Sequence, residues 1–66
     1  MISRPFVKLV ITDINNRPHE YENGYTLFNP EKGYLCVGDN EELHSPTIYA
    51  LRNVLYFEII EPDFIH

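Results

Sequence analysis

The histidines and the carboxylates beside them are the first residues of this chain whose types could do chemistry. His19 and His44, together with Glu20, Glu22 or Glu42, offer the nitrogen and oxygen ligands of a zinc or nickel site. However, their spacing matches no zinc pattern, and the two histidines lack the i, i+4 relation that places ligands on one helix face. We therefore interpret them as surface residues and expect no metal site and no cofactor.

Acidic residues suggest two further kinds of chemistry. The connector Asp39-Asn40-Glu41-Glu42 carries the oxygen ligands that calcium prefers, but it lacks the alternating spacing of a calcium-binding loop, so a solvated loop is expected. Glu20, Glu22 and Glu58 could supply an acid and a base, yet so small a domain has little room for a pocket that raises a carboxylate pKa. We expect no catalytic residues and no enzyme. A well-formed apolar pocket with converging polar groups would instead favour the hypothesis of an enzyme or a small-ligand binder.

Cys36 is the single cysteine, and it lies in the apolar run Tyr34-Leu35-Cys36-Val37. A thiol in such a strand behaves as a small hydrophobe with a raised pKa, so we assign Cys36 to the core. One cysteine cannot form an intramolecular disulfide, which favours a reducing, cytoplasmic setting. Lys8 interrupts the only apolar stretch near the N-terminus, so we expect neither a signal peptide nor a membrane span.

Length and composition indicate a single small folded domain over residues 1–66. The chain has 66 residues, of which 44% are hydrophobic, and this content favours a globule over disorder. Its formal net charge is -5, and its five basic residues are scattered along the chain. Because phosphate backbones are bound by clustered Lys and Arg, this balance disfavours nucleic acid as a ligand and permits a basic protein partner.

The sequence predicts that the elements positioning these side chains are short strands. Residues Phe6–Asp13 alternate so that Val7, Leu9 and Ile11 share a core face. Asn23-Gly24, between residues 19–22 and 25–28, is the dipeptide best suited to a two-residue type I′ hairpin turn.

A second reversal and an edge strand follow. Pro30 presets a turn that Gly33 closes in a left-handed conformation, and the chain continues into Tyr34–Val37. Pro46 places the next segment at a sheet edge, and Thr47–Leu51 is compatible with a strand or with one short helical turn.

The closing run from Asn53 to Ile60 is apolar on both faces of a strand. Leu55, Phe57 and Ile59 are predicted to face the core. The other face, at Val54, Tyr56 and Ile60, then requires a partner, as does the apolar part of the C-terminal tail at residues 61–66, which contains Phe64 and Ile65. We predict that the partner-binding residues are Val54, Tyr56, Ile60, Phe64 and Ile65.

Together these elements predict an all-β fold of five to six short strands with at most one short helical turn. The expected architecture is a small antiparallel barrel or a strongly bent sheet, and its strand rhythm resembles that of SH3-like and Sm-like barrels. The Sm sequence pattern is not met, since Asp13 is followed by Ile14 rather than by glycine. We therefore infer no family.

The functional hypothesis that follows is a small acidic, non-enzymatic protein-interaction domain that self-associates, most simply as a dimer. An alternative is an inhibitor encoded by a phage or mobile element, in which carboxylates occlude a basic surface of a host protein. The acidic residues concerned are Glu20, Glu22, Glu41, Glu42 and Asp63. A second alternative is a nucleic-acid-binding barrel, which the fold permits and the charge opposes. No membrane association is expected.

Overall fold

The computed structural model describes residues 3–63, and this part of the chain forms five β-strands and one 3-10 turn. The strands are β1 (Arg4–Asp13), β2 (Pro18–Asn29), β3 (Tyr34–Gly38), β4 (Thr47–Ala50) and β5 (Val54–Ile60), and the 3-10 turn spans Leu51–Asn53. All neighbouring pairs are antiparallel. The predicted all-β class with one short helical turn is therefore confirmed, and the 47–51 segment supplies both a strand and the start of the turn.

The five strands form one sheet in the order β4-β3-β2-β1-β5. The sheet is strongly curved, because the rings of Phe28 on β2 and Phe57 on β5 lie 5.4 Å apart although β1 separates these strands. Within residues 3–63, β4 and β5 are its two edges and do not pair with each other. The sheet is thus open in the described part of the chain, and the barrel alternative is not confirmed.

The core lies on the concave face of this sheet. Leu9, Ile11 and Leu35 are completely buried, and Phe6 and Val37 complete the central cluster. Cys36 is also buried, and burial raises the pKa of its thiol, so its assignment to the core is confirmed. Residues 3–63 contain no helix that is both long and apolar enough to cross a membrane.

The alternation predicted for β1 is correct for Leu9 and Ile11 and wrong for Val7, which is 43% exposed. Phe6 is buried in its place. Phe6 pairs with Gly24 on β2, and a Cβ on Gly24 would lie 2.9 Å from Phe6 Cζ. The phenyl ring therefore fills the space that the missing side chain of its cross-strand neighbour leaves open.

The hairpin predicted at Asn23-Gly24 is wrong, because β2 runs through both residues without reversing. Asn23 does adopt a positive φ of 53°, but Gly24 does not. A Cβ on Gly24 would lie 2.6 Å from the carbonyl oxygen of Gly38, so glycine is needed here because two backbones approach closely. β2 changes partner in this region, pairing with β1 up to Thr26 and with β3 from Tyr25 onward.

The turns at residues 30–33 and 14–17 are each determined by residues of the turn itself or next to it. The turn at residues 30–33 is confirmed: the amide of Gly33, which has a φ of 78°, donates to the carbonyl of Asn29. In the turn at residues 14–17, Asp13 Oδ1 accepts hydrogen bonds from the amides of Asn15 and Arg17. This is the local side-chain to backbone bonding by which Asp stabilises turns.

Candidate interaction surface

β5 contains a β-bulge that decides which of its side chains are exposed. Its register with β1 is regular from Ile60 to Tyr56 and then shifts, so that Asp13 pairs with Val54 and Leu55 is the extra residue. A bulge interrupts the alternation of faces in a strand. Leu55 is consequently 54% exposed, and Val54 packs against the core cluster with Phe57 and Ile59.

The prediction of which β5 side chains face the core is therefore correct for residues 56–60, which follow the bulge, and wrong for Val54 and Leu55. Tyr56 and Ile60, predicted to meet a partner, are 53% and 56% exposed. Val54, predicted to lie on the same face, is only partly exposed because it packs against the core, and Leu55 replaces it at the surface. Phe64 and Ile65, the other predicted partner-binding residues, lie outside the described residues.

The outer edge of β5 is unpaired over the whole strand in residues 3–63. β5 has seven residues and pairs on one side only, with β1. The opposite edge of the sheet is β4, which has four residues and carries the exposed Ile48. Unpaired edges present a row of free N–H and C=O groups and are the usual template for pairing with another chain.

The convex face beside this edge is acidic. Val10 on β1 pairs with Glu20 on one side and with Glu58 on the other, so the two carboxylates flank it on one face. Lys8 lies in the neighbouring row, opposite Glu22, and its Nζ is 3.0 Å from Glu20 Oε1. That hydrogen bond raises the pKa of Lys8. Glu41 and Glu42 lie in a different element, the connector between β3 and β4. The hypothesis that these acidic residues together cover a basic surface of a host protein therefore stays a prediction.

A polar cluster joins the β1–β2 turn to β4, and sequence reasoning missed it. His19 Nε2 lies 2.9 Å from Asp13 Oδ2, and the His19 ring lies 5.8 Å from that of Tyr49. The Tyr49 hydroxyl shares a hydrogen bond with the hydroxyl of Tyr21. The signal that could have revealed the cluster is the spacing of Asp13 and His19 on either side of a turn, which places them close together at the end of the β1–β2 hairpin.

The cluster also shifts two pKa values. The hydrogen bond from His19, followed by those from the Arg17 and Asn15 amides, lowers the pKa of Asp13. Burial, followed by the hydrogen bond to Tyr21, raises the pKa of Tyr49. His19 therefore bonds within this cluster rather than forming a site with His44, and in residues 3–63 no three His, Cys, Asp or Glu side chains are grouped to hold a metal ion.

A groove of about 280 Å³ opens between the bend of β2, the end of β3 and the connector that leads to β4. We call it the connector groove. Its lining residues are Phe6, Tyr21, Glu22, Asn23, Gly24, Val37, Gly38, Asp39, Ser45 and Thr47. Two of them, Glu22 and Asp39, carry carboxylates, and three carry hydroxyl groups. The groove is thus a mixed polar and apolar surface rather than the apolar pocket that a small-ligand binder was expected to need.

Compared with known proteins, the chain matches no family model, no curated protein and no solved structure.

Proposed function

We propose that this chain is a small, non-enzymatic interaction domain that forms a dimer by pairing its β5 edge with the β5 edge of a second copy. One observation carries the proposal: the outer edge of β5 is unpaired in the described residues and carries exposed apolar side chains at Leu55, Tyr56 and Ile60. Isologous pairing would satisfy this edge in both copies at once, which a closed two-fold dimer requires.

Charge and length favour one register for this pairing. An antiparallel pair centred on Phe57 places all seven residues of β5 opposite residues of the second β5. It also places Glu58 of each copy opposite Tyr56 of the other. A register centred on Glu58 would bring two carboxylates face to face, and like charges directly opposite each other destabilise a sheet. We therefore infer the register centred on Phe57.

The finer architecture has to be compatible with this dimer. We infer that the sheet follows the outline of an SH3-like small barrel but stays open between β4 and β5, because pairing across that gap would occupy the β5 edge that the dimer uses. Its support is the strand order β4-β3-β2-β1-β5, with a 3-10 turn joining the two edge strands, and the cross-sheet contact of Phe28 with Phe57. A solution structure with short proton distances between β4 and β5 would show a closed barrel and would contradict the dimer through the β5 edge. A single buried cysteine supports a reducing compartment, which cell fractionation would test.

Sedimentation equilibrium at micromolar concentration tests the dimer. The wild-type protein is expected to sediment with twice the mass of one chain. Tyr56→Glu places a second carboxylate opposite Glu58 of the other copy and should shift the protein to a monomer. Tyr56→Lys changes the same exposed position but places an ammonium group there, so the dimer should persist.

Ile48→Glu is the matched control, because Ile48 is 63% exposed on the other edge strand. It should leave the dimer intact. A wild-type monomer at these concentrations contradicts the proposal. So does a dimer that is lost with Ile48→Glu and kept with Tyr56→Glu, since association would then use the β4 edge.

A further inference from the structure

β4 is held to the rest of the sheet by few interactions. It has four residues, all exposed or half-buried, and within residues 3–63 it pairs only with β3. β3, in contrast, contains the buried residues Leu35, Cys36 and Val37. Elements with few buried apolar contacts can open locally while the rest of a protein stays folded. β4 meets this condition, and the strand that it covers does not.

The connector before β4, at residues 39–46, stores backbone strain. Leu43 and Ser45 have φ angles of 55° and 53°. This left-handed region is unfavourable for residues with a Cβ atom, because Cβ comes too close to the following carbonyl oxygen. Both residues are released from that conformation when the connector opens.

A few contacts hold the strained connector closed. Leu43 packs on Gly38, where an added Cβ would lie 2.9 Å from Leu43 Cδ2. The amide of Leu43 also donates to the carbonyl of Asn40 over 3.0 Å. The Ser3 hydroxyl donates to the carbonyl of Glu41 over 2.7 Å. These contacts keep the connector over the end of β3.

Tyr49 anchors β4 to β2. Its hydroxyl shares a hydrogen bond with that of Tyr21, and its ring packs against the core cluster. The two tyrosine rings meet edge-on, with their centroids 6.4 Å apart. After β4, the amide of Leu51 donates to the carbonyl of Gly33, and the 3-10 turn begins. Leu51 therefore marks the end of the segment that can open, and Tyr49 is its attachment across the sheet.

We propose that β4 and the connector open together as one unit while β1, β2, β3 and β5 stay folded, so that β4 is a detachable edge strand over β3. Opening releases the strain at Leu43 and Ser45 and is opposed by the hydrogen bond of Tyr49. It frees the outer edge of β3 and removes Ile48 from beside Cys36, its partner in the ladder. This opening takes place at the edge of the sheet opposite to the proposed dimer contact.

Labelling of the Cys36 thiol in the folded protein tests this opening. The probe is dithiobis(nitrobenzoate), which forms a mixed disulfide with a thiolate and releases coloured thionitrobenzoate. At low urea concentrations the labelling rate should depend only weakly on urea, because a local opening exposes little surface. Hydrogen exchange of the amides of residues 47–50 should show the same weak dependence, whereas exchange in β1 should depend on urea steeply.

Three variants locate the groups that control the opening. Tyr49→Phe keeps the ring and removes the hydrogen bond to Tyr21, so labelling should become about two- to tenfold faster. Ser45→Gly relieves strain in the closed connector, so labelling should become about two- to fivefold slower. Tyr56→Phe is the matched control, because it removes a tyrosine hydroxyl from β5 and should leave the rate unchanged.

The urea dependence decides first between local and global opening. If labelling depends on urea as steeply as exchange in β1 does, Cys36 is reached only by global unfolding and the proposal is wrong. Equal acceleration by Tyr49→Phe and Tyr56→Phe would also contradict it, as would faster labelling of Ser45→Gly. The monomeric variant Tyr56→Glu should be labelled at the wild-type rate, which separates this test from that of the dimer.

Discussion

Replacing Gly24 by alanine tests the most specific claim about packing in this fold. The new Cβ would lie 2.6 Å from the carbonyl oxygen of Gly38 and 2.9 Å from Phe6 Cζ. The phenyl ring can shift, but the carbonyl is held in the β2–β3 ladder, where Gly38 pairs with Tyr25. Overpacking costs about 1–3 kcal/mol, and a backbone obstacle places this variant at about 2–3 kcal/mol.

A loss of this size is easy to measure. In a domain of this length each kcal/mol corresponds to roughly 4–8 °C in Tm, so Gly24→Ala should lower Tm by roughly 8–24 °C. The chain has five tyrosines and no tryptophan, so urea unfolding can be followed by tyrosine fluorescence, with circular dichroism for the thermal transition. All variants should be compared at one protein concentration, because dimerisation adds to apparent stability.

Asparagine variants separate the two reasons for a glycine. Gly33 has a φ of 78° and no atom within 4 Å of a new Cβ, so Gly33→Asn should cost below about 1 kcal/mol, since asparagine tolerates the left-handed region. Gly24→Asn should cost at least as much as Gly24→Ala. If Gly24→Asn is instead tolerated as well as Gly33→Asn, Gly24 serves a turn and the close approach to Gly38 is refuted.

Two further predictions concern pH and the first strand. Because the hydrogen bond from His19 lowers the pKa of Asp13 in the folded state, its stabilising effect is present above the unfolded pKa of about 3.9 and is lost as pH falls through the lower folded value. Asp13→Asn keeps an oxygen for the Asn15 and Arg17 amides, so its urea midpoint should fall less than that of the wild type on acidification; equal falls would exclude the effect. Leu9→Ala should lower the free energy of unfolding by about 2–5 kcal/mol and Val7→Ala by less than about 1 kcal/mol, because only Leu9 is fully buried. If urea unfolding gives similar losses for the two variants, Val7 faces the core as Leu9 does and the regular alternation predicted for β1 is correct.

The sequence was sufficient where structure depends on neighbouring residues. The Pro30–Gly33 turn was predictable because the φ preferences of proline and glycine act locally. The burial of Cys36 and the edge position of β4 followed from an apolar run and from Pro46. In each case the determining residues lie within a few positions of the feature itself.

The sequence was misleading where a distant segment decided the outcome. Asn23-Gly24 has strong hairpin propensity, but β2 continues through it because Gly24 meets the backbone of Gly38, fourteen residues later. The bulge at Leu55 depends on how β5 registers with β1, and alternation alone places Val54 and Leu55 on the wrong faces. The link between His19 and Tyr49 depends on curvature of the whole sheet, which no local pattern encodes.

The pairing of β1 with β5 also has a consequence for biosynthesis. Residues of β1 leave the ribosome early, yet one of their two hydrogen-bonding edges finds its partner only when the chain up to Ile60 has been made. Until then the nascent protein exposes that edge of β1, and with it the part of Leu9 and Ile11 that Phe57 and Ile59 later cover. The sheet is therefore completed only after the last strand has been made, and until then this edge of β1 is open to pairing with other chains.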